Sequence, residues 1–251
     1  MLYLIGIGLG NELDITLRGL EAVKKCNFIY LESYTSKINA RKPEFEKLYG
    51  REIILADRNM VENKASEIIK RAKVKDVAFL VIGDALSATT HISLLMQAKE
   101  ESVETEVIHN ASILNAVSDT GLSLYKFGKT ASIPFQNNDI ETPYVLLKEN
   151  LSINAHTLFL LDLIPMEDVF MTVNEAIEYL LRTETKKKLN LFSKSTMVVA
   201  CCGFGSEDSV IKYGKAAEIA SEEFTKFPQC LIVPSKLHFM EEDYLKIISK
   251  D

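Results

Sequence analysis

The sequence predicts an α/β protein of two domains, the first built around a parallel sheet. Three observations carry that prediction. Short apolar runs alternate with helical patterns through the first 110 residues. Two of the runs empty directly into glycine, at Gly6-Ile-Gly-Leu-Gly10 and at Gly83-Asp84. Beyond residue 115 the strand candidates become more widely spaced. Strands separated by helices cannot pair as hairpins, so they imply a parallel sheet covered on both faces.

Taken in order, residues 2–7 form a buried strand, and Leu13, Leu17, Leu20 and Val23 fall at helical spacing after it. Residues 28–31 are a second strand ending in Glu32-Ser33, and 53–55 a third. Ala65, Ile68, Ile69 and Ala72 share one helical face, and the strongest strand, 77–82, follows. Residues 90–99 read as a helix and 104–108 as the fifth strand. In the second half, strands are expected at 130–133, Thr157–Leu161, 197–201 and 230–233, with helices at 173–181 and 215–224. Residues 134–143 are polar and turn-rich, which suits an exposed loop. A boundary near residues 110–115 gives domains 1–112 and 113–251 with a cleft between them, and no internal repeat is visible.

The formal net charge of −6 argues against a general nucleic-acid binder, and Lys186-Lys187-Lys188 is the one concentrated basic run. Cys26, Cys201, Cys202 and Cys230 fit no zinc spacing; each lies in or beside an apolar segment, as small buried hydrophobes do. That usage suits a reduced, cytoplasmic compartment. The apolar start is too short to span a membrane and lacks a basic signal region, so no membrane partner is expected.

A strand that stops in glycines lets a ligand approach its backbone. Gly6-Ile-Gly-Leu-Gly10 invites a dinucleotide reading, with Glu32 placed as a ribose-binding acid, yet the spacing is G-x-G-x-G and Asn11 stands where the last glycine belongs. After Gly83, Asp84 suits either a sulfonium, an amine or ribose hydroxyls, or simply the cap of the next helix. His109-Asn-Ala-Ser-Ile113 follows the fifth strand, and Ser112 can cap the helix beyond it. His91, His109, His156 and His238 show no metal-binding spacing, so no metal is predicted. No G-x-S-x-G elbow and no Walker A motif occur.

Several blocks together resemble the diphthine synthase family of the tetrapyrrole methylase superfamily. They are Gly6-Ile-Gly-Leu-Gly10 through Asp14-Ile-Thr-Leu-Arg-Gly-Leu20, Ile82-Gly-Asp-Ala-Leu-Ser-Ala-Thr-Thr-His91 and His109-Asn-Ala-Ser-Ile113. Gly121-Leu-Ser-Leu-Tyr-Lys-Phe-Gly-Lys-Thr130, His156-Thr-Leu-Phe-Leu-Leu-Asp162 and Leu231-Ile-Val-Pro-Ser-Lys-Leu-His-Phe-Met-Glu241 continue the match to the end of the chain. The resemblance implies two α/β domains of the tetrapyrrole methylase type, the N-terminal sheet largely parallel and the C-terminal sheet mixed, with the cofactor cleft between them. It implies an S-adenosylmethionine-dependent N-methyltransferase that releases S-adenosylhomocysteine and needs no metal. The substrate implied is the diphthamide precursor, a modified histidine of translation elongation factor 2, methylated on the amino group of its aminocarboxypropyl arm. A homodimer is implied as well. The family's cofactor-binding positions fall here on Leu9, Asp84, Ser87, Ser112, Ile113, Leu163, Phe204 and Gln229.

Three residues depart from the family pattern: Ala85 where Gly-Asp-Pro is usual, Phe204 in place of a small residue, and Gln229 in place of a histidine. Backbone contacts to the cofactor would tolerate all three. Two other readings stay open on the residues alone, a nicotinamide-dependent oxidoreductase using Gly6–Gly10 with Glu32, and a methylase of a tetrapyrrole-like small molecule. The sequence singles out no catalytic side chain. Methyl transfer from a sulfonium needs mainly positioning and an unprotonated acceptor nitrogen, so neither a metal nor a nucleophilic residue is required.

Overall fold

The computed structural model describes residues 1–38 and 40–249. It divides into two compact units. Met1–Ala116, Pro165–Glu167 and Gly205–Glu207 make up the first, and Val117–Ile164, Asp168–Phe204 and the chain from Asp208 onward make up the second.

The first unit is a five-stranded, fully parallel sheet of β1 (Leu2–Gly6), β2 (Phe28–Glu32), β3 (Ile53–Ala56), β4 (Val77–Val81) and β5 (Thr105–Ile108) in the order β3-β2-β4-β1-β5. Side chains alternate along each strand, so the sheet builds two cores. Leu2, Leu4, Val77 and Phe79 pack on one side with Ile68, Ile69 and Leu94. Ile5, Ile29, Ala78 and Leu80 pack on the other with Val23, Phe45 and Tyr49. The covering helices are α1 (Leu17–Lys25), α2 (Lys42–Tyr49), α3 (Arg58–Glu62), α4 (Ala65–Val74), α5 (Ile92–Glu100) and the single turn α6 (Ile113–Ala116).

The expected apolar face of the first helix needs correction. Leu13 and Leu17 are 70% and 81% exposed; of the expected set Val23 is buried and Leu20 half-buried, and α1 buries Gly19 and Ala22 beside them. Asn11 caps a separate 3-10 turn at Glu12–Asp14; the chain then extends at Ile15 before Thr16 caps α1 through the Gly19 amide (3.0 Å). Leu13 therefore belongs to another element, and the helical phase begins again after it. Gly19 is where α1 approaches the sheet, since a Cβ there would lie 3.0 Å from Ile5 Cγ2. The α4 face came out as expected, with Ala65, Ile68, Ile69 and Ala72 all buried. α2 was not expected; its buried residues Phe45 and Tyr49 are an i,i+4 pair among charges, and Gly50 ends it at φ 69°.

The second unit holds a mixed sheet of β6 (Ala131–Ile133), β7 (Thr157–Leu161), β10 (Met197–Cys202), β11 (Val210–Lys215) and β12 (Gln229–Val233), ordered β11-β10-β12-β7-β6. β6 and β7 run parallel and the other pairs antiparallel. β8 (Leu163–Ile164) and β9 (Val169–Phe170) form a small separate hairpin. Around the sheet lie α7 (Thr142–Ser152), α8 (Val173–Lys187), α9 (Ala216–Ile219) and α10 (Phe239–Ile248). Thr172 and Glu175 cap α8 reciprocally, which fixes where it starts. The helix expected over 215–224 is a correction: the chain makes the edge strand β11 and then only the one-turn α9. The Lys215 amide bonds the Glu218 carboxylate (3.0 Å) at that junction, so the strand ends as the turn begins. The four cysteines are free and buried, and burial pushes Cys26 and Cys202 up to about 12.

Glu241 ties three distant stretches of this unit together. Its carboxylate accepts from the Ser123 amide (3.0 Å), the His238 amide (2.8 Å) and the Lys126 ammonium, with His156 Nε2 at 3.4 Å. Burial pushes this carboxyl upward, but those four donors outweigh it and hold it at about 2.

Candidate active site

The carboxyl ends of β1, β4 and β5 lie side by side because Gly6 pairs with Val81 and Ile5 with Ile108. In an open parallel sheet, ligands bind at that edge. Gly8 (φ 79°) and Gly83 (φ 83°) bridge the two glycine exits, with Gly8 N–H donating to the Gly83 carbonyl (3.1 Å) and Gly83 N–H to the Gly8 carbonyl (2.7 Å). The missing side chain at Gly83 leaves a hollow. A Cβ built there would face Leu9 Cδ2 at 3.6 Å, the Ala111 carbonyl at 3.7 Å and Ser112 Cα at 3.8 Å. Leu9 and Ser112 therefore wall one hollow beside Asp84.

Asp84 is 5% exposed and heavily bonded. Its Oδ1 accepts from the Leu86 amide (3.0 Å) and from the amide and hydroxyl of Ser87 (3.0 and 2.9 Å). Its Oδ2 accepts from the Asn110 amide (3.0 Å) and from His109 Nδ1 (2.8 Å). Burial works to raise the Asp84 carboxyl, yet these bonds overcome it and hold the group at about 2. Asp84 is thus a permanent negative charge whose lone pairs shape the loop. Asn110 finishes the joint by donating from Nδ2 to the Gly6 and Asp14 carbonyls (both 3.0 Å). Ser112 also caps, accepting from the Leu114 amide (3.3 Å).

Two features oppose a dinucleotide at the first glycine turn. The Gly10 amide already donates to Asp14 Oδ2 (2.6 Å), so a carboxylate sits where a phosphate would have to bind. Glu32 is 1% exposed and turned inward, accepting from the Ile82 amide (3.2 Å) and the Thr35 hydroxyl. No ribose can reach it. Beside it, His91 is fully buried, with Nε2 at 3.7 Å from Glu32 Oε2 and 3.2 Å from the Tyr34 hydroxyl. Burial raises Glu32 to about 7 and lowers His91 to about 4, so between those two values both members of the pair are neutral.

Of the eight positions, Leu9, Asp84, Ser87, Ser112 and Ile113 lie in the first unit, on the loops just described; Leu163, Phe204 and Gln229 lie in the second. Leu163 opens the β8–β9 hairpin, half-buried, with its amide on Asp162 Oδ1 (2.9 Å). Phe204 is buried; Gly205 after it already belongs to the first unit, where a Cβ on it would meet Leu9 Cβ at 2.5 Å. Gln229 uses its whole amide internally: Oε1 accepts from the Val173 amide (2.8 Å), and Nε2 donates to the Phe224 and Lys226 carbonyls (3.0 and 3.1 Å). That side chain clamps the start of α8, leaving only backbone for a ligand. Asp14 and Asn110 were not singled out by the sequence; their signal was a carboxylate four residues after a glycine and an amide directly beyond a strand.

A model of the family described as Tetrapyrrole (Corrin/Porphyrin) Methylases matches residues 1–220. The chain is 41% identical to the diphthine methyl ester synthase of Schizosaccharomyces pombe, over 98% of this chain and 93% of that one. It is 42% identical to the diphthine synthase of Methanocaldococcus jannaschii along the full length of both. The chain belongs to the diphthine synthase family of tetrapyrrole methylases. A crystal structure of a diphthine synthase superposes with a TM-score of 0.91 at 35% identity, covering 99% of this chain and 96% of that one. This enzyme is therefore an S-adenosylmethionine-dependent methyltransferase.

The first unit's loops fit that cofactor. The hollow at Gly83 offers an apolar wall from Leu9 and backbone polar groups beside it, and the Asp84 charge favours a cation. Asp14 at the Gly10 amide disfavours phosphate, which this cofactor lacks. Among the described residues, no group of three or more His, Cys, Asp or Glu is arranged to hold a metal ion. Among them, too, no helix is long and apolar enough to cross a membrane.

Proposed function

We propose that this enzyme methylates the amino group of the diphthamide precursor, a modified histidine on translation elongation factor 2, and releases S-adenosylhomocysteine. The observation that carries this reading is the end-to-end match to diphthine synthases from a yeast and an archaeon. Leu9, Asp84, Ser87, Ser112, Ile113, Leu163, Phe204 and Gln229 are the positions proposed to hold the cofactor. The bound cofactor supplies a methyl group activated on a sulfonium sulfur. Asp84 contributes a fixed negative charge and, through Leu86, Ser87 and Asn110, the shape of the loops. We further propose a cytoplasmic homodimer whose partner is the elongation factor, with no nucleic acid or membrane engaged and no metal needed.

The relatives' names differ in one chemical respect, since a methyl ester requires transfer to a carboxylate oxygen as well. Incubating the purified enzyme with S-adenosylmethionine and precursor-bearing factor should add mass in whole methyl steps. Mild alkali then separates the two chemistries, because it removes an ester methyl and leaves an N-methyl. A factor that gains no methyl, while a corrinoid precursor does, would overturn the reading.

A further inference from the structure

Resting on that substrate reading, the geometry at Asp84 points to a catalytic residue. We propose that His109 Nε2 accepts the proton of the substrate ammonium, freeing the nitrogen for methyl transfer.

The tautomer follows from the bonding. Asp84 Oδ2 is an acceptor that already takes the Asn110 amide, and His109 Nδ1 lies 2.8 Å from it. A carboxylate in that state can only receive, so Nδ1 carries the hydrogen and Nε2 of the neutral ring keeps its lone pair. The His109 side chain is 69% exposed, while Asp84 is buried. One ring nitrogen is thus anchored and the other is open. An anchored imidazole with its far nitrogen bare is the arrangement of a general base oriented by an acid.

Other ionisable groups at this edge serve less well. Glu32 and His91 are sealed from solvent, and both Asp84 oxygens are taken. Asp14 is exposed and held by the Gly10 amide, but carboxylates as a class are too weak as bases to relieve an ammonium near neutral pH. Asp84 is the one ionisable group in hydrogen-bond or ion-pair contact with His109 among the described residues.

In the step itself, the substrate N–H bond breaks and its electron pair remains on nitrogen. The proton forms the new N–H at His109 Nε2, making an imidazolium that Asp84 steadies, and then passes to water at the exposed ring. The freed nitrogen pair makes the bond to the methyl carbon, whose former bonding pair stays with sulfur. Each further methyl on the same nitrogen repeats the deprotonation, so His109 serves more than one turn.

His109→Gln keeps a donor for Asp84 and removes the base. Its kcat should fall by roughly 10²-fold or more, with the dissociation constant for S-adenosylhomocysteine, read by calorimetry, unchanged within about threefold. The acid limb of the wild-type rate profile should disappear in the variant, and free imidazole should restore rate to His109→Ala. Long-range proton–nitrogen spectra of the wild-type ring should report the Nδ1–H tautomer without any turnover. A kcat within about threefold of wild type, a loss confined to cofactor affinity, or an Nε2–H tautomer each overturns the assignment while leaving the substrate reading intact. A wild-type enzyme silent on the precursor overturns that reading, and this assignment with it.

Discussion

Asp84 and Glu32 are both buried acids at the same sheet edge, yet their surroundings drive them in opposite directions. Asp84 is surrounded by donors and sits at about 2, below its ordinary 3.8. It therefore contributes stability that is present above pH 3.8 and lost as pH falls toward 2. Asp84→Asn places an NH₂ group against several donors; it should cost about 2–3 kcal/mol at neutral pH in urea unfolding and weaken S-adenosylhomocysteine binding. That gap should narrow below about pH 4. Glu32, at about 7, and His91, at about 4, titrate in reversed order from their ordinary 4.5 and 6.5. Between pH 4.5 and 6.5 the unfolded pair holds one proton on the imidazole and the folded pair one on the carboxyl, so their pH effects cancel. Glu32→Gln breaks the cancellation. Relative to wild type, the variant should gain up to about 3 kcal/mol in unfolding free energy as pH rises from 4.5 to 7, and equal slopes for the two proteins would refute this. Asp84 was legible as a candidate site residue from its glycine exit. Glu32 was legible as an acid ending a strand, but its inward turn was not, because a strand's last side chain faces core or solvent by a single residue of phase.

At the scale of elements, strands were easier to read than helices. The buried strands of the parallel sheet are continuous apolar runs, and the expected bounds differ from the observed ones by a single residue at one end of each. α2 was missed because it buries only Phe45 and Tyr49 among charges, and α10 because it buries only Glu241 and Leu245 while Phe239, Met240 and Ile247 stay exposed, so neither shows a clean apolar face. What anchors α10 is polar instead: Glu241 bonds Ser123, Lys126 and His238 and faces His156. The Tyr-Lys-Phe-Gly-Lys-Thr block thereby acquires a structural purpose, as Lys126 sits on that carboxylate. Glu241→Ala should destabilise the enzyme by about 3 kcal/mol or more, because an ammonium and two amides lose their acceptor. Gly128 belongs to the same block; a Cβ there would lie 2.2 Å from Asn150 Oδ1. That oxygen accepts the Lys129 amide (2.9 Å) while Asn150 Nδ2 donates to Thr157 (3.1 Å), so Gly128→Ala should displace a buried bridge and lower the thermal midpoint by several degrees.

For the whole molecule, the change from regular to wide strand spacing marked a real change of architecture, from a parallel sheet to a mixed one. Sequence order could not show that the units are discontinuous, because the contacts responsible join residues nearly 200 positions apart, as Gly205 does with Leu9 and Gly10. The chain changes units at 116–117, 164–165, 167–168, 204–205 and 207–208. A fragment of residues 1–116 lacks Gly205–Glu207, which belongs to its packing, so it should unfold at lower urea than the first unit does within the intact enzyme. Equal protection of its core amides from hydrogen exchange would contradict this. The return at Gly205 also bears on inheritance. A unit that borrows backbone from far downstream cannot be passed to another protein by copying one contiguous stretch of gene, so recombination would tend to carry the two units together or not at all.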